Sequence, residues 1–138
     1  MPSTENKALL LKAIHHFNNP ASRESYFDLY APYAVLHRSP SLPPGLDHIK
    51  AFYRAYWSAF PDIQLTVKAI LGEDEMVACV FEARATHQGT FLNHPATGRE
   101  VAYAGVTVLR FEDSKCVERW SQTDMLSLLK QIGAAPVP

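Results

Sequence analysis

Hydrophobic and polar positions change period half-way along the 138-residue chain. In the first half Leu10, Ala13, Ile14 and Phe17 fall at i, i+3, i+4 and i+7, one face of a helix that Asn18-Asn19-Pro20 stops. Ser22 to Tyr30 has room for a second short helix before Pro32, and Tyr33 to Arg38 reads as extended. Pro40, Pro43, Pro44 and Gly45 mark a loop that no regular element crosses. Ile49, Phe52, Tyr53, Tyr56 and Phe60 then predict a helix from Leu46 to Phe60, with Asp47 near its start, where negative charge suits the helix dipole.

Beyond Pro61-Asp62 the period falls to two. Ile63, Leu65, Val67 and Ala69 alternate with polar residues, as in a strand with one wet face. Val77, Cys79, Phe81, Ala83, Ala85 and His87 form the apolar face of a second, longer strand, which puts a histidine on that face. After a loop at residues 93–98, Val101 to Phe111 is apolar on both faces, as expected when protein also covers the second one. Glu112-Asp113-Ser114 predicts a hairpin turn, Lys115 to about Asp124 the last strand, and Met125 to Ile132 a short helix closed by Gly133, with a frayed tail to Pro138. Helices followed by strands on short turns predict an α+β domain with an antiparallel sheet.

Composition narrows the function. A chain of this length, 47% hydrophobic and 20% charged, is expected to form a single domain over residues 1–138. Its apolar runs are far shorter than the roughly 20 residues that span a bilayer. No basic, apolar and small-residue leader pattern opens it, so a cytoplasmic protein is expected. Thirteen basic against fourteen acidic residues, dispersed, leave no footprint for nucleic acid or an anionic membrane. Cys79 and Cys116 form no Cys-x-x-Cys and read as reduced thiols, Cys79 buried and inert between Val77 and Phe81. Without a glycine-rich phosphate loop, a His-x-His or a His-Glu-x-x-His, no cofactor and no metal are expected.

By strict alternation Cys116, Glu118, Trp120, Gln122 and Asp124 share one face of the last strand. Turned inward, that face lines a cavity beneath the helices with two carboxylates, an indole and an amide. Asp124 has two readings, as N-cap of the helix from Met125 or as an acid/base group. Glu118, beside Lys115 and Arg119, also reads as a solvated ion pair, and His87 as a hydrogen-bonded core residue. His37 shares parity with Tyr33 and Val35 and is a candidate for facing inward. Phe52, Tyr56 and Phe81 are candidate apolar walls for a ring-shaped ligand.

Three stretches resemble one family: Ala59-Phe60-Pro61-Asp62; Thr86-His87-Gln88-Gly89-Thr90-Phe91 with Pro95-Ala96-Thr97-Gly98-Arg99; and Arg110-Phe111-Glu112-Asp113 through Val117-Glu118-Arg119-Trp120, Asp124, Leu128-Leu129, Gln131 and Gly133. With His37 and Pro44-Gly45-Leu46 they are similar to the SnoaL-like polyketide cyclases, or ester cyclases, of the nuclear transport factor 2-like superfamily. The resemblance implies a cone-shaped barrel of curved antiparallel sheet covered by N-terminal helices. It implies Asp124 as the acid/base carboxylate, with His37, His87 and Trp120 at pocket positions, and a cofactor-independent aldol-type ring closure on a hydrophobic carbonyl substrate. Ala85 and Asn93-His94 depart from the family's usual residues near the pocket mouth. A non-catalytic small-molecule binder, or an isomerase or hydratase on the same fold, is the alternative. The doubly apolar strand suggests a homodimer.

Overall fold

The helical stripe of the N-terminal half becomes α1 (Pro2–Phe17), which buries Leu10, Ala13 and Phe17. In the computed structural model, which describes residues 2–38 and 42–134, a 3-10 helix follows at Arg23–Leu29. The spacing in the next helical segment gives α2 (Leu46–Ala59), burying Ile49, Tyr53 and Trp57. Phe17, Tyr26, Phe27, Tyr53 and Trp57 meet mostly edge to face, with ring centroids 5.0 to 6.4 Å apart, and this aromatic cluster joins the three helices. Buried Arg23 ties them to the start of the sheet by donating to the carbonyls of Phe17, Pro61 and Ile63.

The five strands are β1 (Tyr30–His37), β2 (Gln64–Glu73), β3 (Met76–Thr86), β4 (Glu100–Glu112) and β5 (Lys115–Thr123). They form one open sheet in the order β1-β5-β4-β3-β2. The strands β2 to β5 are an antiparallel meander as expected, and Asp113-Ser114, both at positive φ, makes the tight β4–β5 turn. β1 differs, for it pairs parallel to β5. No short turn joins these two strands, so nothing local imposes the antiparallel direction. Helices over one face of a strongly irregular, open mixed sheet agree with the cone-shaped architecture that the resemblance implies.

Two bulges decide which side chains face the helices. Lys68 is an extra residue in β2, between Val67 opposite Phe81 and Ala69 opposite Val80. It turns Ala69 out and Ile70 in, against simple alternation. Val117 is an extra residue in β5, between Cys116 opposite Phe111 and Glu118 opposite Arg110. Past it, Arg119 lies opposite inward Leu109, and Trp120 opposite Val108.

β3 and β4 keep unbroken alternation and present Val77, Cys79, Ala83 and Ala85, and Val101, Tyr103, Thr107 and Leu109, to the interior. Among the described residues nothing covers the second face of β4 at Val106, which is 46% exposed. At the far end α3 (Met125–Gln131) is held to β4 by the Gln131 amide, which accepts from the Ala102 N–H and donates to its carbonyl, both at 2.7 Å. Pro40 of the predicted loop and residues 135–138 of the predicted tail lie outside the described residues.

Candidate active site

Between the helices and the inner face of the sheet lies a cavity of about 340 Å³. Its apolar wall is built by Leu10, Ile14 and Phe17 of α1, by Phe52, Tyr53 and Tyr56 of α2, and by Leu36, Ile63, Leu65, Phe81 and Met125. Gly105 makes room for the Phe81 ring, since a Cβ there would stand 2.5 Å from Phe81 Cζ. The polar groups on the wall are Arg38, the hydroxyls of Tyr26, Tyr53, Tyr56 and Tyr103, Thr107, Arg119, Ser121, Gln122 and Thr123. Among the described residues no aspartate or glutamate lines it.

Arg119 is the centre of the polar wall. Its Nε donates to Thr107 Oγ1 at 2.7 Å, and its Nη1 to the hydroxyls of Tyr26 and Tyr30 at 2.6 and 2.7 Å. The two phenols also share a hydrogen bond of 2.7 Å. Thr107 in turn donates to the Trp120 carbonyl and pairs with Ser121 Oγ. Burial pushes both phenols well above their ordinary range, which keeps them neutral. Burial also opposes the Arg119 charge, but the surrounding phenol oxygens outweigh it and the guanidinium stays protonated. Across the cavity the Tyr56 and Tyr103 hydroxyls are hydrogen-bonded to each other, and burial raises both.

The face expected to line the cavity, Glu118 and Trp120, is instead the outer one, because the Val117 bulge reverses the alternation. Glu118 accepts from His37 Nε2 at 2.9 Å and from Arg110 Nε at 3.0 Å, and these two bonds hold its carboxyl below the ordinary range. His37 stacks on Trp120 outside the sheet, with centroids 5.2 Å apart and planes 18° from parallel. It lies outward with Tyr33, while Leu36 and Arg38, of the opposite parity, reach the cavity. His87 does sit on the interior face of the sheet, fully buried, but beyond the cavity: its Nδ1 is 3.0 Å from Thr97 Oγ1 and its ring packs on Phe60. Phe52, Tyr56 and Phe81 are on the wall, whereas Gln122, exposed and opposite outward Val106, borders the cavity with its side chain on the outer face of β5.

Asp124 stands at the β5–α3 junction between two lining residues, Thr123 and Met125. It is exposed, and its Oδ1 accepts from the Ser127 N–H at 3.1 Å, capping α3. Sequence reasoning missed Arg119, Tyr26 and Tyr103. The signal available for Arg119 was Thr107, a hydroxyl in the otherwise apolar inner stripe of β4. Among the described residues there is no cluster of three or more metal-ligating side chains, and no helix is long and apolar enough to cross a membrane.

Residues 8–132 match the SnoaL-like polyketide cyclase family, with the cavity walls and the β5–α3 junction inside the matched span. The chain belongs to that family. Solved structures of SnoaL-like size superpose over nearly the whole molecule. AclR of Streptomyces galilaeus, described as a candidate hydroxylase, is 32% identical with a TM-score of 0.87, covering 97% of this chain and 99% of its own. IdmH of Streptomyces antibioticus, described as a candidate polyketide cyclase, is 28% identical with a TM-score of 0.77, covering 93% and 98%. A SnoaL-like protein of Jannaschia, at 22% identity and a TM-score of 0.84 over 97% and 95%, shares the fold. No curated protein sequence matches the chain.

Proposed function

We propose that this SnoaL-like protein is a cofactor-independent polyketide cyclase or a related enolising enzyme acting on a hydrophobic carbonyl substrate. The observation that carries this reading is the apolar, aromatic cavity lined by the hydrogen-bonding groups of Arg119 and the tyrosines. Such donors stabilise charge that develops on a carbonyl oxygen when a neighbouring carbon loses its proton. The enolate then attacks a second carbonyl of the same molecule, and the new alkoxide takes a proton. Asp124, the carboxylate that the family resemblance implies, is assigned these transfers; its side chain is exposed and caps α3, beside the lining residues Thr123 and Met125. His37 and His87, outside the cavity, are not assigned a part. Trp120 and Glu118 shape the outer face of the same strand.

The Asp124→Asn variant tests the reading. Asparagine caps a helix as well as aspartate does, so the variant keeps the fold while losing the base. Turnover of an aromatic polyketide ester is expected to fall by at least about a hundredfold, and undiminished turnover removes Asp124 from the mechanism. The hydroxylase description of AclR favours a second reading, in which the same substrate anion takes up dioxygen and a two-electron reductant from outside the protein converts the peroxide to the hydroxylated product and water. Product mass separates the two, since hydroxylation adds an oxygen atom and aldol closure adds none.

The protein is further assigned as a homodimer through the outer sheet face, where Val80, Val106 and Trp120 are 40%, 46% and 38% exposed on adjacent strands. A monomeric mass in solution at working concentration excludes it.

A further inference from the structure

The guanidinium of Arg119 has a donor group to spare. Its Nε and Nη1 are engaged by Thr107, Tyr26 and Tyr30, whereas Nη2 has no hydrogen-bond partner among the described residues. Nor is Nη2 sealed in the protein. The only fully buried side-chain polar atoms without a partner among the described residues are Trp57 Nε1 and His87 Nε2. Nη2 therefore opens onto the cavity that Arg119 lines, although the residue as a whole is only 8% exposed.

Among the described residues no carboxylate balances this cation. Arg119 makes no ion pair among the described residues, and the lining contains no acidic side chain. A second guanidinium, Arg38, is on the same wall, packed 4.2 Å over the Phe52 ring. The other titratable groups facing this space are the phenols of Tyr26, Tyr53, Tyr56 and Tyr103 and the Cys79 thiol. Burial raises Tyr26, Tyr56, Tyr103 and Cys79, so these supply dipoles and no negative charge. The phenols hold Arg119 in its charged form, and a ligand that brings negative charge adds an attraction that no described group on the wall supplies.

Geometry also selects the kind of anion. The two-nitrogen fork with which arginine grips a carboxylate is occupied on its Nε side, and Nη1 is shared by two phenols. One nitrogen remains, and it suits a single ionised oxygen. The apolar walls suit a ring attached to that oxygen. We propose that the cavity binds its ligand as a one-oxygen anion, the ionised form of an acidic hydroxyl on an unsaturated ring carbon (a phenolate or ring enolate), with Arg119 Nη2 as the counter-charge. This rests on the enolising reading of the same site and names its substrate class.

The test uses 7-hydroxycoumarin, whose phenol and phenolate forms absorb at different wavelengths, and coumarin, which lacks the hydroxyl. Each is bound to the intact protein and the dye is titrated with pH. The bound dye's apparent pKa is expected to fall by about one unit or more, a tenfold preference for phenolate. Arg119→Gln is expected to abolish the shift while coumarin still binds, and Arg119→Lys, which retains charge on a different geometry, to reduce it. If Arg119→Gln does not fold, the wild-type shift and its reduction in Arg119→Lys decide the matter. An unshifted or raised pKa in the wild type overturns the proposal, as does a full shift in Arg119→Gln. Coumarin binding with an unshifted dye removes the anion alone and leaves the enolising enzyme standing, whereas failure of both molecules to bind removes both.

Discussion

Replacing Arg119 by methionine separates a residue kept for binding from one kept for the fold. The guanidinium makes three hydrogen bonds, to Thr107, Tyr26 and Tyr30. At roughly 1.5 to 3 kcal/mol for each bond to a charged group, their loss removes about 5 to 9 kcal/mol. Against this stands the desolvation of a buried, unpaired cation, itself several kcal/mol, which methionine does not incur. The groups left behind are not stranded. Tyr26 and Tyr30 still bond to each other, and Thr107 keeps the Trp120 carbonyl and Ser121. Arg119→Met is therefore expected to change stability by no more than about 2 kcal/mol in either direction. Urea unfolding gives the answer from the midpoint, provided that the slope is unchanged. A loss above about 4 kcal/mol refutes the reasoning and makes the arginine a structural hub whose bonds outweigh its burial.

Other expectations follow from single contacts. Gly105→Ala drives the tip of Phe81 into the cavity, since the new Cβ would lie 2.5 Å from Cζ and 3.0 Å from the Gln122 carbonyl; it is expected to cost about 1 to 3 kcal/mol and to weaken binding of a ring compound in calorimetry. Asp124→Ala loses the α3 cap and about 1 kcal/mol of stability in thermal unfolding, whereas Asp124→Asn does not. Glu118, held below its ordinary value of 4.5 by His37 and Arg110, stabilises the fold above that value, and the contribution is lost as pH falls through the lowered pKa. Glu118→Gln is thus expected to flatten the acid limb of the urea-midpoint profile without changing ligand binding. Val106→Lys places a charge in the middle of the exposed outer face, and sedimentation is expected to show monomer where the parent chain is dimeric.

Periodicity alone carried the reading far in the segments where the backbone is regular. The helical stripes at Leu10 to Phe17 and Ile49 to Phe60 and the inner faces of β3 and β4 are legible because burial on one side forces a period of 3.6 or 2. Phe52, Tyr56 and Phe81 could be assigned to an apolar wall for that reason. The family was legible as well, because its motifs are spread in order over the chain.

What only the tertiary structure decided is the polar half of the cavity and the direction of β1. A single extra residue at Val117 moves Trp120 and Glu118 out and Arg119 in, and the adjacent apolar pair Cys116-Val117 does not by itself show whether the ladder skips a residue there. Hydrophobicity would place the indole inside and the guanidinium outside. That order reverses because Tyr26, Tyr30 and Thr107, up to 93 positions away in the chain, converge to hydrogen-bond the charge, a solution that exists only once the helices close over the sheet. The parallel pairing of β1 with β5 has the same origin, since contacts between distant segments set it and no turn encodes it.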